Sequence, residues 1–260
     1  MLHRRIYQFL KIYLQRICQF LIIYLLGLTI LFTVKYLLGL SDYVIPGIED
    51  LGRTFQSVFS IYLSDTSDTI SVTVIGQVIS IVMATFVGVL GRQTTWFGSF
   101  IKVAAYNVQA YPIVAIAPII FILFGDGFLS RLLIAAMICY FPILLSVLGI
   151  MSEPVHDIEH FYRVTGRMRW QLEVKIRAFE NLNKLTTVIS GSATLAMAGT
   201  IVAEFIAADA GIGYSIRKAL FQGDLAKILT ALFLIGMTLS VYQGLLEIAG
   251  QLAKKAWAGK

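Results

Sequence analysis

Charge is scarce in this chain: of its 260 residues only 14% are Asp, Glu, Lys or Arg, where a soluble domain carries about a quarter. Cysteine is scarcer still. Cys18 and Cys139 have no CxxC spacing and no histidine cluster nearby, which argues against a disulfide framework, a redox pair or a thiolate metal site and leaves buried packing as the expectation for both. Of the three histidines, His156 and His160 stand four apart, but no HExxH pattern or third ligand accompanies them, so no metal is expected. No period-two alternation supports a sheet. No G-x-x-x-x-G-K-[ST] run is present to cradle nucleotide phosphates, and no basic run interleaved with aromatics suggests nucleic acid.

What fills the chain instead is apolar. Hydrophobic residues make up 58% of it and the mean hydropathy is +0.80. These residues gather into runs near 17–39, 68–90, 101–123, 130–150, 185–207 and 226–249, each of about 20 residues or more, the length that crosses a hydrocarbon core as a helix. Helices satisfy their own backbone groups in lipid, so the expected fold is an all-α membrane bundle of about six transmembrane helices. No room remains for a soluble catalytic domain.

Residues 1–40 read as a basic amphipathic N-terminus followed by a first span too long for a signal-peptide core. Residues 41–67 carry Asp42, Glu49, Asp50 and Asp65, with Asp68 beside them, and have Ile48, Leu51, Phe55, Val58, Phe59 and Tyr62 at helical spacing, which suggests a short amphipathic helix resting on the outer surface. Residues 68–250 form a five-helix core interrupted by a connecting loop at 151–184, and 251–260 form a tail. Lys and Arg set the orientation. Arg4, Arg5, Lys11, Arg16, Arg92, Lys102, Arg163, Arg167, Arg169, Lys175, Arg177, Lys184, Lys254, Lys255 and Lys260 fall on one side; Lys35, Arg53, Arg131, Arg217, Lys218 and Lys227 fall on the other. By the positive-inside rule both termini and the 151–184 loop are cytoplasmic.

That loop is patterned beyond what topology needs. Ile158, Phe161, Tyr162 and Thr165 follow the i, i+3, i+4, i+7 spacing of a short helix, and Gly166 comes where a helix stop belongs. Met168, Leu172, Ile176 and Phe179 give a second stripe, with the Arg and Lys residues on solvated faces. A helix, a glycine corner and a helix make a peg suited to docking a cytoplasmic partner.

Several other stretches occur in a fixed order. Tyr111-Pro112-Ile113-Val114-Ala115-Ile116-Ala117-Pro118 resembles an I-P-x-x-A-x-x-P motif, Phe124-Gly125-Asp126-Gly127 an F-G-x-G, and Phe141-Pro142 an F-F-P. Val202-Ala203-Glu204 resembles a V-A-E, and Gly211-Ile212-Gly213-Tyr214 a G-L-G-Y. Gly166 and Ile176 match landmarks of an E-A-A-x-x-x-G…I-x-L-P loop, and Arg169-Trp170-Gln171 resembles its common continuation. From about Pro46 to its end the chain thus resembles the permease subunit of an ATP-binding-cassette importer of the MetI-like type I fold, in the nitrate, sulfonate, taurine and thiamine-precursor branch.

The resemblance implies a transport subunit of a bacterial inner membrane that is not itself an enzyme and binds no cofactor. ATP and Mg would sit in separate ATPase subunits. The further partners implied are a second permease copy, identical or not, and an extracytoplasmic substrate-binding protein. It implies that Glu159, His160, Phe161, Tyr162, Arg163, Gly166, Arg169 and Trp170 form the coupling helix seated in the ATPase. His160-Phe161-Tyr162 replace the family's Glu-Ala-Ala, and Ala178-Phe179 its Leu-Pro. Two rings in place of alanines call for a wider groove, hence a dedicated ATPase.

Gln77, Asn107, Gln109, Ser146, Ser190, Ser192 and Thr194 are polar groups in apolar runs, candidates for the pathway or for helix-to-helix hydrogen bonds. Pro112 and Pro118 should bend the third span. Glu204 is the costliest residue within a span; Arg217 and Lys218 are its candidate partners, and both a gating role and simple hydration near the interface stay open. Two other classes remain beside the importer, a stand-alone secondary transporter and a membrane scaffold, though no inverted repeat supports the former.

Overall fold

The computed structural model describes residues 2–91, 95–152, 160, 164 and 170–258. Among them the helices are α1 (Leu2–Leu38), α2 (Ile48–Gly91), α3 (Thr95–Gln109), α4 (Ile113–Phe124) and α5 (Phe128–Ser152). After the loop come α6 (Trp170–Glu180), α7 (Leu182–Ile206), α8 (Ile212–Phe221) and α9 (Leu225–Ala258). No strand occurs among the described residues. Five of the helices are long and apolar enough to cross a membrane, or six spans if the bent pair α3–α4 counts as one.

α2, α5, α7 and α9 form the centre. α2 comes close to α5 because small residues line the contact. A Cβ added at Gly76 would lie 3.0 Å from the Ala135 Cβ, and one at Gly88 would lie 2.6 Å from Val147 Cγ1. With little hydrophobic drive between helices in lipid, such backbone proximity supplies the association through packing. Ala84, Ile143, Leu144, Val147 and Leu148 bury there with Cys139. Cys18, by contrast, is exposed. The expectation of a buried thiol fails at that position because α1 packs against α9 and leaves most of its circumference outside the bundle.

The amphipathic stretch at 48–67 is not a separate surface helix. It continues without a break into the apolar run, giving one 44-residue helix, and its Val58 and Tyr62 pack on Ile212, Ala231 and Leu234 of α8 and α9. The sequence contains no proline between Ile48 and Gly91 to stop it. At about 1.5 Å per residue α2 is more than twice as long as a hydrocarbon core is thick, so its first half stands beyond the membrane.

α1 runs along α9 by a ladder of matched residues. The Phe20 ring occupies the space a side chain at Gly236 would need, and Tyr13 lies over Gly244. Arg16 pairs with Glu247, Tyr24 donates to the Leu229 carbonyl at 3.0 Å, and the rings of Phe20, Tyr24, Phe55 and Phe233 cluster.

Candidate functional site

A row of polar residues, Thr66, Thr69, Thr73, Gln77 and Ser80, recurs every three or four positions along α2 and is buried throughout. The hydroxyls first satisfy themselves locally: Thr66 donates to the Tyr62 carbonyl at 2.6 Å, Thr73 to that of Thr69 at 2.8 Å and Ser80 to that of Gly76 at 2.8 Å. They then reach across to other helices. Thr73 meets Thr200 at 3.1 Å, and Ser80 lies 2.7 Å from the Ala136 carbonyl.

Gln77 is held at both ends of its amide. Its nitrogen donates to the Ile189 carbonyl at 2.7 Å and to Ser192 Oγ at 2.9 Å, while Tyr242 donates its hydroxyl to Oε1 at 2.5 Å. The geometry thus brings Gln77 and Ser192 together as glue between α2, α7 and α9. Ser190 is buried beside them, its Oγ without a partner among the described residues, and its carbonyl accepts from Gln243 at 3.3 Å. Gln243 also reaches Thr194 at 2.8 Å.

At one end of this row sits the most concentrated chemistry of the chain. Glu204, near the end of α7, is wholly buried. Arg131, in the first turn of α5, donates from Nη1 to Asp68 Oδ2 at 2.7 Å and to Glu204 Oε1 at 3.3 Å. The Thr69 hydroxyl lies 2.8 Å from Glu204 Oε2, 3.0 Å from Oε1 and 3.0 Å from the Asp65 carbonyl; having one proton, it serves one of them at a time. It also accepts the Ile212 N–H at 2.9 Å, and Gly213 N–H donates to Glu204 Oε2 at 2.9 Å.

Glu204 and Thr69 therefore cap α8, whose N-cap residue, Gly211, has no side chain to do so. Glycine is required here for two reasons. Gly211 adopts φ +91°, and a Cβ on it would collide with the Glu204 carboxylate. At Gly213 a Cβ would lie 2.5 Å from the Ile201 carbonyl oxygen. The buried negative charge is balanced by Arg131 and by the positive end of α8, while Asp68, with 42% of its side chain exposed, keeps part of its hydration.

The partners expected for Glu204 are not those found. Arg217 turns away to the carbonyls of Ile206 (2.9 Å) and Ala208 (2.6 Å), tying down the end of α7, and Lys218 is exposed. Simple hydration of Glu204 is also excluded by its burial. Arg131, Asp68 and Thr69 were not singled out from the sequence. The available signals were a lone Arg at the start of an apolar run and the four-residue spacing of Thr69, Thr73 and Gln77.

A second region lies on α3 and α4. The two helices meet at a 92° bend over Ala110, Tyr111 and Pro112. Pro112, at φ −66°, has no N–H to continue α3 and is preset to start α4, whereas Pro118 sits inside α4. The break thus forms at the first proline. Asn107, Gln109, Tyr111 and Pro112 are all exposed around it. Between the bend and α5 lies a cavity of about 300 Å³, lined by Gln109, Tyr111, Pro112, Met137, Ile138 and Phe141 among others.

Glu159, Phe161, Tyr162, Arg163, Gly166 and Arg169 lie outside the described residues. His160 is helical and exposed, and Trp170 opens α6. In α6 the stripe expected from Leu172, Ile176 and Phe179 does not all turn inward. Glu173 and Arg177, paired at 3.2 Å, share the inner side with Val174, while Leu172 and Phe179 are 46% and 45% exposed. Val164 is 71% exposed.

A sequence model of the family described as "Binding-protein-dependent transport system inner membrane component" matches residues 76–249, well over half of the chain. Three curated relatives match as well. The chain is 41% identical over 143 residues to the riboflavin transport system permease protein RibX of Chloroflexus aurantiacus, covering 54% of this chain and 53% of that protein. It is 23% identical over 202 residues to the formylaminopyrimidine transport permease protein ThiX of Halalkalibacterium halodurans, covering 76% and 79%. A probable ABC transporter permease protein of Haemophilus influenzae is 27% identical over 139 residues, covering 52% and 55%. The chain thus spans about half the length of the first and third of these relatives.

Proposed function

The chain belongs to the family of binding-protein-dependent transport system inner membrane components, and from that premise we propose that it is the permease subunit of an ATP-binding-cassette importer in a bacterial inner membrane. The family match over the bundle from the middle of α2 to α9, in a chain with five membrane-length helices, carries this reading. Two permease copies would form the pathway, two ATPases would bind ATP and Mg on the cytoplasmic side, and a binding protein would deliver the solute from outside. The names of the relatives support a compact heterocyclic solute.

The distribution of lysines and arginines supports a cytoplasmic 153–169 connection, with the Glu204 end outside. Val164, Leu172 and Phe179 then expose apolar surface in or beside a cytoplasmic loop, where no lipid covers them. That supports an ATPase docked on Glu159, His160, Phe161, Tyr162, Arg163, Gly166, Arg169 and Trp170. Alternating access follows if closure of the ATPases biases the bundle between inward-open and outward-open states through this peg.

The test is reconstitution of the chain with the ATPase and binding protein that co-purify with it. Binding protein added outside should stimulate ATP hydrolysis and uptake. Gly166→Val should remove uptake stimulation, either by detaching the ATPase or by leaving hydrolysis uncoupled. Uptake driven by an ion gradient without ATPase would overturn the reading in favour of a secondary transporter.

A further inference from the structure

Met137 and Phe141 lie near the middle of the 25-residue α5, so the cavity they share with the α3–α4 bend is at mid-membrane depth. Backbone that leaves the helical conformation at this depth is tolerated only against protein or a water-filled path, because lipid cannot satisfy it. Tyr111, 66% exposed, and the exposed amides of Asn107 and Gln109 cluster at the same place. A lipid cover is therefore the wrong one for this face.

The lining also selects chemistry. Among the described residues it contains no Asp, Glu, Lys or Arg, so these offer nothing to offset a charge taken out of water. It does offer two aromatic rings, Tyr111 and Phe141, and a thioether at Met137, all suited to the faces of a π-system. Gln109 adds an amide that both donates and accepts, suited to the heteroatom edge of a ring. The cavity, about 300 Å³, is at the small end of small-molecule sites.

Resting on the permease reading above, we infer that this cavity is the subsite where the pathway holds its solute, and that the solute class is an uncharged, planar heteroaromatic molecule. Tyr111 and Phe141 contact the ring faces and Gln109 reads the edge. Discrimination against small anions is then built into this chain as well as into the binding protein.

The experiment uses the complete importer in vesicles, with riboflavin as the neutral probe and taurine as the anionic one. Riboflavin should be taken up and taurine should not. Tyr111→Ala, Phe141→Ala and Gln109→Ala should each raise the KM for riboflavin roughly 3- to 10-fold, and Tyr111→Phe should restore it. Unchanged KM in all three, or uptake of taurine in preference to riboflavin, overturns the subsite while binding-protein-stimulated hydrolysis leaves the permease reading standing. Absence of any such stimulation in the wild-type importer would fell both. Tyr111→Cys supplies a separate reading: a water-soluble maleimide should label it and riboflavin should protect it. Spontaneous disulfide linkage to a second copy, or labelling only by a lipid-soluble reagent, shows another occupant and overturns the inference.

Discussion

Removing the Glu204 carboxylate should be among the most damaging single changes at its end of the bundle, and its cost can be ranked against its neighbours. In Glu204→Ala, Gly213 N–H loses its acceptor, while Arg131 keeps Asp68 at 2.7 Å and Thr69 can turn to the Asp65 carbonyl at 3.0 Å. Breaking a buried pair from one side costs about 3–5 kcal/mol, and an orphaned buried N–H accounts for roughly 1–3 kcal/mol of that. Arg131→Met strands Glu204 as a buried anion held only by Thr69 and the α8 amide, and the same range, about 3–5 kcal/mol, applies. Glu204→Gln keeps an acceptor for Gly213 and leaves Arg131 to Asp68, so about 1–2 kcal/mol is expected. Asp68→Asn removes a half-exposed carboxylate and should cost about 1 kcal/mol or less. Reversible unfolding in mixed micelles, followed by circular dichroism, gives these differences. The double variant Glu204→Ala/Arg131→Met should lose less than the sum of the single losses, by about 1–3 kcal/mol. If the two single variants each lose under about 1 kcal/mol, or if their losses simply add, the cluster is not a unit and the reasoning from its burial is wrong.

Gly213→Val should reproduce much of the Glu204→Ala loss without touching a charge, because its Cβ would push α8 off the Ile201 carbonyl and the Glu204 stem; an unchanged melting midpoint would refute this. Gly236→Val should pry α1 from α9 by displacing the Phe20 ring, at a cost of about 1–3 kcal/mol. Adding Phe20→Ala should recover part of that loss, and proteolysis in the 39–47 connection should rise and fall with it.

The architecture was legible where one physical rule dominates. Apolar runs of membrane length announce helices, and Pro112 announces a break because it has no N–H to donate. The rule is silent about how far the chain turns, so a kink was expected where the helices meet at 92°. The boundary expected between the 41–67 segment and the span near 68–90 failed for a related reason: α2 passes through Asp65 and Asp68 unbroken, and other elements come to meet them, Ser215 donating to Asp65 at 2.5 Å and Arg131 to Asp68.

Glu204 shows why the site was harder to read than the fold. The cost of burying a carboxylate is a property of that residue alone, so the sequence marks it as requiring a partner. Which partner answers depends on which helix ends the topology gathers, and that information is spread over the whole chain. Arg217 and Lys218 are near in sequence, but α8 begins against Glu204 and carries Arg217 round to the carbonyls of α7. Arg131, 73 residues away, is brought in because α5 starts at the level where α7 ends. The glycines at 211 and 213 are the local trace of this distant arrangement: the Glu204 carboxylate occupies the space a Cβ would take at Gly211, and the Ile201 carbonyl and Glu204 Cβ occupy it at Gly213. A buried charge and a glycine pair a few residues apart thus jointly specify a helix N-terminus seated on that charge. The cation completing the balance has to be sought among the ends of other spans rather than in the same loop.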